Sequence, residues 1–526
     1  MLVYDDVRFF ISNKNFKQVS IKMNYGHQTQ TSNNKHNDEI HHHRYILRNV
    51  AHKAMIEHKL LLDFSPEAIS QLALIEASSP YPEKSIIDLR QFPWCSIDND
   101  DSMDLDQLTV AQINSNEKNI VKILVAIADV DAFVRKGSPL DNHAKANTTS
   151  IYTAAEVFPM FPNKLSTNLT SLNPDQDHQA IVIEMDISLE GKITKTNIYQ
   201  AMVHNYAKLT YNSVAAWLED KGPIPESVGK NVHLSANIIL QDKIAQLLRE
   251  NRHKLGALDF ETIEAHPIFH ENTISSLEIE FKNRAKELIE DFMVAANSVS
   301  AKYLKSAGVP SFRRVVRHPK RWDRIISEAA KYKYELPTTP NASSLAAFLN
   351  RQKILDPMRF PDLSLTIIKL LGKGEYVVEF PEEKEIGHFG LAVMDYTHST
   401  APNRRFPDLI TQRMLKGILK NEIVAYNSDE LIELAQHCTD KEDDANKVER
   451  RVAKSAGALI LSSKIGKTFS AICTGAAEKG TWVRIINPPV EGRMMYGHEG
   501  IDVGDKLQVT LIHTDVEKGF IDFKRA

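Results

Sequence analysis

At 526 residues the chain exceeds one ordinary hydrophobic core, so one large domain with smaller attachments is expected. Hydrophobic and charged fractions of 42% and 25% are globular values, and a net charge of −4 excludes a small, globally basic nucleic-acid-binding domain, so any polyanion needs a local basic channel. The longest apolar run, IVKILVAIADVDAFV (120–134), is broken by Lys122, Asp129 and Asp131, which excludes a bilayer span, and the three scattered cysteines (Cys95, Cys438, Cys473) form no CxxC, so the expectation is a soluble, cytoplasmic protein with no membrane partner.

In chain order, residues 1–22 resemble neither a secretory signal nor a transit peptide. Residues 24–43 are polar and poor in apolar side chains, so 1–43 reads as a disordered extension with Met23 as an alternative start. His41 to His43 lack an acidic or cysteine partner at ligand spacing, which argues against a metal site there. Residues 44–89 begin with helical periodicity to about Ala77, with Ser65 and Pro66 placed as N-cap and N1 of a second helix. A helical cap fits, as does a helix-turn-helix-like unit of the kind that reads DNA. Residues 90–462 form the large domain, with strands over 105–111, 119–128, 181–188 and 193–200. Helices follow at 208–219, 233–253, 284–306, 322–334, 342–352 and 407–421, which makes the class α+β. The segment SFRRVVRHPKRW (311–322) is a local basic candidate, equally readable as a solvated loop. Residues 463–526 hold five short strand-like runs separated by turn residues, the pattern of a small S1/OB-like barrel.

The stretch WCSIDNDDSMDLDQL (94–108) concentrates negative charge. Its alternating acids imitate a calcium loop, but Met103 stands where that loop needs Gly and Thr109 where it needs Glu. Turn chemistry accounts for Asn-Asp-Asp-Ser. If MDLDQLTV is a strand, however, Asp104 and Asp106 share one face, and with Asp98 they repel one another unless a cation sits between them. A hard cation such as Mg²⁺ suits that oxygen cluster and completes its shell with phosphate.

SIDNDDSMDLDQ resembles the acidic signature of the RNB catalytic domain of ribonuclease II, ribonuclease R and the exosome's hydrolytic subunit. AIADVDAFV (126–134), AKLTYNSVAAWLE (207–219), ELIEDFMVAANSVSAKYL (287–304), HFGLAV (388–393) and YTHSTAPNRRFPDLITQRML (396–415) follow in that family's order. The resemblance implies a mixed sheet surrounded by helices and hydrolytic 3′→5′ degradation of single-stranded RNA to nucleoside 5′-monophosphates. The implied cofactor is Mg²⁺, with Mn²⁺ as a substitute. It implies metal ligation by Asp98, Asp104 and Asp106, and Gln107 stands where the family pattern has a fourth Asp. By the same resemblance Tyr211 lies near the scissile phosphate, Glu290 in the catalytic cavity, and Arg404 on the phosphate. Tyr152 and Phe260 become the aromatic pair that stacks terminal bases, and His398, Thr400 and Arg405 become RNA contacts. Stacking tolerates any sequence.

As residues alone, Tyr152 and Phe260 fit a core equally well, Tyr211 a helix start, and Glu290 a pair with a lysine on its own helix. Pro407 predicts a helix beginning after Arg405, which sets Arg404 near a positive helix end. Two rival classes remain: an RNA 3′-end-binding protein of the same fold, favoured by Gln107, and a phosphodiesterase for small nucleotides.

Overall fold

The structure, a computed structural model, describes residues 42–77, 86–113, 119–477 and 480–526. Of the extension expected over residues 1–43, residues 1–41, with Met23 and His41, lie outside the described residues, and His42 and His43 open the first helix. A seven-stranded sheet forms the centre. Its chain order is β1 (Ile87–Asp88), β2 (Cys95–Asp98), β3 (Gln107–Ile113), β4 (Ile120–Ala128), then, after a small hairpin of β5 (Ile151–Tyr152) and β6 (Val157–Phe158), β7 (Asp177–Ser188), β8 (Ile193–His204) and β9 (Ala207–Thr210). Spatially the order is β1-β8-β7-β4-β3-β2-β9. The middle strands pair antiparallel, and both edge pairs, β1 with β8 and β2 with β9, run parallel. The central strand β4 carries the run KILVAIA, buried from Ile123 to Ala128, because it is covered on both faces.

Among the described residues, eleven α-helices position the rest: α1 (His42–Glu57), α2 (Pro66–Ala77), α3 (Pro139–Asn147), α4 (Tyr211–Leu218), α5 (Val232–Lys254), α6 (Arg284–Ser306), α7 (Trp322–Lys331), α8 (Ala342–Leu355), α9 (Phe360–Leu371), α10 (Phe406–Leu419) and α11 (Ser428–Leu461), a single turn at Glu226–Gly229 aside. Asn283 caps α6 by accepting the Lys286 amide, and almost every residue from Leu288 to Ala301 is buried, so α6 runs through the core against β2 and β7. A further hairpin joins β10 (Glu264–His270) to β11 (Thr273–Glu280), and β12 (Ser311–Val315), which packs on α6, pairs antiparallel with the distant β13 (Glu375–Glu379).

The C-terminal strands β14 (Thr468–Ala477), β15 (Gly480–Ile485), β16 (Glu491–Tyr496), β17 (Lys506–Asp515) and β18 (Phe520–Arg525) close into the five-stranded barrel the sequence predicts. Arg484 reaches from it to the buried carboxylate of Asp362 at 2.8 Å. No helix among the described residues is long and apolar enough to cross a membrane.

Three expectations need correction. Helices α1 and α2 do not form a helix-turn-helix-like unit: Leu47, Val50, Ala51 and Ala54 of α1 pack with Ala445, Val448 and Val452 of α11, whereas Ala68 and Leu72 of α2 enter the main core. Ser65 does cap α2, accepting the Ala68 amide at 3.2 Å. The basic segment 311–322 is not an open patch. Arg313 and Arg314 are both buried and satisfied by Glu379 at 3.2 Å and Glu442 at 2.6 Å, because each guanidinium finds a carboxylate on a distant element. Finally, the strand expected over 105–111 begins only at Gln107, so alternation along a strand is not what brings Asp104 and Asp106 together.

Candidate active site

Asp98 ends β2 and pairs in register with Thr210, the last residue of β9. The two parallel strands therefore stop at one level, and Tyr211, the first residue of α4, lies beside Asp98. Thr210 caps that helix through the Ser213 amide, which fixes where the tyrosine emerges. Between β2 and β3 the acidic stretch forms a tight loop. The Leu105 amide donates to Ser171 Oγ at 2.9 Å, and the Leu105 carbonyl accepts the Leu172 amide at 3.0 Å. The Asp106 carbonyl accepts the Ala128 amide at 3.0 Å. Lys208 binds the Ser102 carbonyl.

The carboxylates are thus held by the fold and gathered against their mutual repulsion. Asp98 accepts Ser102 Oγ at 3.1 Å and Gln107 Nε2 at 3.4 Å. Asp106 accepts the Asn403 amide at 3.1 Å and Arg404 Nε at 3.3 Å. Burial pushes Asp98 up to about 6, with the Asp106 charge adding to it and Arg404 opposing. Asp106 likewise rises to about 6 through burial, opposed by Arg404 and the Asn403 amide. Asp104 is held well above the ordinary carboxylate range by burial and then by Asp106. Burial and the Asp98 charge also raise the Tyr211 phenol, so it stays a neutral donor.

Arg404 faces all three carboxylates from the loop before α10. Its carbonyl accepts the Ser150 amide at 2.9 Å and Thr149 Oγ1 at 3.0 Å. Tyr152 follows directly on this segment; burial and the charges of Asp104 and Asp106 raise its phenol. Tyr152, Thr149, Arg404, Arg405, Tyr376 and Glu442 line a small cavity beside the cluster.

The remaining sequence-predicted residues are placed differently. Glu290 is buried on α6, where it binds Lys282 at 2.8 Å just before that helix begins. Phe260 is 2% exposed in the core that contains Val294, Trp322 and Tyr396. His398 is buried, its Nδ1 2.8 Å from Tyr376 Oη, and Thr400 is buried beside it in sequence. Arg405 spends its guanidinium on Asp408, at 2.9 Å from both oxygens, which also accepts the Ala401 amide, so this pair shapes the start of α10. Pro407 stands in the first turn of α10, as the sequence predicts.

Several residues that shape the site gave no sequence signal: Ser102 bonds Asp98 from four residues away, and Asn403, Thr149, Ser150 and Ser171 act through hydrogen bonds across long sequence separations. The motif AIADVDAFV proves structural. Asp129 accepts Gln179, Gln200 and Lys416, and Asp131 accepts Arg413 and Lys416, which fastens α10 to the end of β4.

Among the described residues, no three acidic, histidine or cysteine side chains converge closely enough to enclose an ion by themselves. The donor set nonetheless fits a hard divalent cation. Its atoms are carboxylate oxygens, those of Asp98 and Asp106 buried and those of Asp104 half-buried, and burial raises their proton affinity against the opposing charge of Arg404.

The RNB-domain family model matches residues 86–421, and the model for the RNase II-type exonuclease C-terminal S1 domain matches residues 467–526. The chain is 31% identical over 447 residues to ribonuclease R of Escherichia coli, covering 81% of this chain and 53% of that one. It thus spans about half the length of the curated relatives it matches. Mycoplasma genitalium RNase R in complex with ribose-methylated single-stranded RNA superimposes with a TM-score of 0.80 at 23% identity, over 91% of this chain and 78% of that one. Yeast Ssd1, a pseudonuclease, superimposes with a TM-score of 0.67 at 15% identity, over 90% and 59%. On the match of its central domain, which spans more than half of its length, the chain belongs to the RNB-domain family.

Proposed function

We propose that this protein is a hydrolytic 3′→5′ exoribonuclease that shortens single-stranded RNA and releases nucleoside 5′-monophosphates. The observation that carries the reading is that Arg404 and the carboxylates of Asp98, Asp104 and Asp106 act on one another electrostatically at the loop where β2 ends and β3 is about to begin. Asp98, Asp104 and Asp106 would hold Mg²⁺, with Mn²⁺ as a substitute. When bound, such a cation polarises the phosphodiester and favours hydroxide over water.

The chain's own groups do the rest. Arg404, fixed through its carbonyl by Ser150 and Thr149, presents a guanidinium to a phosphate oxygen, and its charge is worth most in this water-poor setting. The Tyr211 hydroxyl, neutral beside the Asp98 charge, is an O–H donor for a phosphate oxygen. Tyr152 supplies an aromatic face for a terminal base, and one such face contributes about 1–3 kcal/mol whatever the base. Phe260 and Arg405 serve as support: one fills a core, the other holds the loop of Arg404.

A 5′-labelled RNA of about 30 nucleotides incubated with Mg²⁺, beside an Asp106→Asn variant, tests this. A single-nucleotide ladder that ends in a short limit product and is absent in the variant is the expected result. The second reading, a 3′-end-binding protein of the same fold, draws on Gln107, which donates to Asp98 instead of supplying a fourth carboxylate. RNA that stays intact yet shifts on a native gel with both proteins would replace the first reading by the second.

A further inference from the structure

The N-terminal helices lie outside the matched catalytic domain, and besides packing on α11, on the β10–β11 hairpin and into the main core they hold one further stretch of it through polar contacts. Asn147, 1% exposed at the end of α3, accepts the Leu61 amide at 2.7 Å and donates to the Leu61 carbonyl at 2.9 Å. Gln71 of α2 accepts the Leu140 amide at 2.9 Å, and Phe64 stacks on His143 with ring centroids 4.1 Å apart. Glu156, in the turn between β5 and β6, pairs with both Arg48 and His52 of α1, the latter at 2.5 Å. The same turn is braced by Thr153, whose amide and hydroxyl both donate to the Glu156 carbonyl, at 3.1 and 2.6 Å. Beneath it, Ile151, Ala154, Ala155 and Phe158 share a core with Leu47, Val50 and Ala51.

The stretch so held is residues 139–158. It carries Thr149 and Ser150, which hold the Arg404 carbonyl, and Tyr152. We infer that residues 42–77 are a clamp that positions the Tyr152 side of the site, with Glu156 as its principal positioning residue, acting through Tyr152. Tyr152 ends the strand that enters the four-residue turn 153–156 and Glu156 ends that turn, so loosening the α1 end of the turn lets the ring drift from the base it must meet. This rests on the proposed RNA substrate but not on cleavage.

The test is a double-mutant cycle of Glu156→Gln and Tyr152→Ala, read as the affinity for a 5′-fluorescein single-stranded RNA in EDTA and as KM and kcat with Mg²⁺. Glu156→Gln keeps the shape of the side chain and removes its charge. Alone it weakens binding and raises KM about three- to tenfold, with kcat changed less. In the Tyr152→Ala background it has little further effect, because the coupled partner is gone. Arg48→Ala reproduces Glu156→Gln from the other side of the pair. Equal losses in both backgrounds, or a fall in kcat matching the fraction of unfolded protein at constant KM, overturn the clamp and leave a purely structural helix. A wild-type protein that binds but does not cleave removes the exonuclease reading while the binding cycle still decides the clamp. A wild-type protein that does not bind the RNA at all overturns both.

Discussion

Replacing Asp98 by Asn should stabilise the metal-free protein. Asp98 is 4% exposed, and burial with Asp106 nearby lifts it from 3.8 to about 6. Between those values the folded state holds a proton that the unfolded state has released, so stability falls as pH rises through this window and stays lower above it. The difference corresponds to about 3 kcal/mol of cost once the carboxyl is ionised. Asparagine escapes that cost while its carbonyl oxygen still accepts from Ser102, and a turned Gln107 amide can accept from the new NH₂ group. One weakened hydrogen bond offsets about 1 kcal/mol, so the net gain at pH 8 is about 2 kcal/mol. For a domain of this size that amounts to a rise of about 3 °C in melting temperature. The assay is thermal unfolding of both proteins in EDTA from pH 4 to 8, then with Mg²⁺ at pH 8. The gap should shrink to a small remainder towards pH 4, where the wild-type carboxyl is protonated in the folded state and about half protonated in the unfolded state, and Mg²⁺ should raise the wild type but not the variant. A variant no more stable than wild type at pH 8, or a gap undiminished at pH 4, would refute the reasoning.

Three further outcomes follow from the same geometry. Arg404→Lys replaces a fork fixed against Asp106 with a mobile point charge and should slow single-turnover cleavage about 100-fold; a rate within threefold of wild type contradicts the phosphate role. Gln107→Asp adds a carboxylate beside Asp98 and should lower the Mg²⁺ concentration needed for half-maximal activity several-fold while lowering stability in EDTA, which a paired titration and melting curve would show. Arg314→Ala takes a buried guanidinium away from the Glu442 carboxylate and should cost about 3–5 kcal/mol, whereas the more exposed Arg317→Ala should stay within about 0.5 kcal/mol and leave RNA affinity unaltered.

What was legible in the sequence is what a short window encodes. Alternating apolar residues between turn formers gave the C-terminal barrel, and the apolar run of β4 gave the sheet's centre. Caps and first-turn prolines gave the starts of α2 and α10. Helix α11 went unread because its buried stripe is made largely of small or weakly apolar residues, Ala435, Cys438, Ala445 and Ser455 among them, around a dense run of charges. Its contribution comes from close approach, not from bulk.

The acidic site shows the limit of local reading most clearly. The sequence points to Asp104 and Asp106 for an incomplete reason: two carboxylates two residues apart share a strand face, but here no strand has begun. Asp106 is held by the amide of Asn403, and Leu105 by Ser171, partners that no periodicity announces. Asp98 and Tyr211 meet because β2 and β9 run parallel and end level, a property of strand pairing and of neither segment alone. The same reasoning explains Arg313 and Arg314, which read as surface charge until β13 and α11 bring Glu379 and Glu442 to them. Residue type thus announces the chemistry wanted at a site, while long-range pairing decides which candidates are spent on holding the fold. Arg404 and Arg405, adjacent and chemically identical, divide on that basis: Asp408 takes one guanidinium for the start of α10, and the other is left against the acidic cluster.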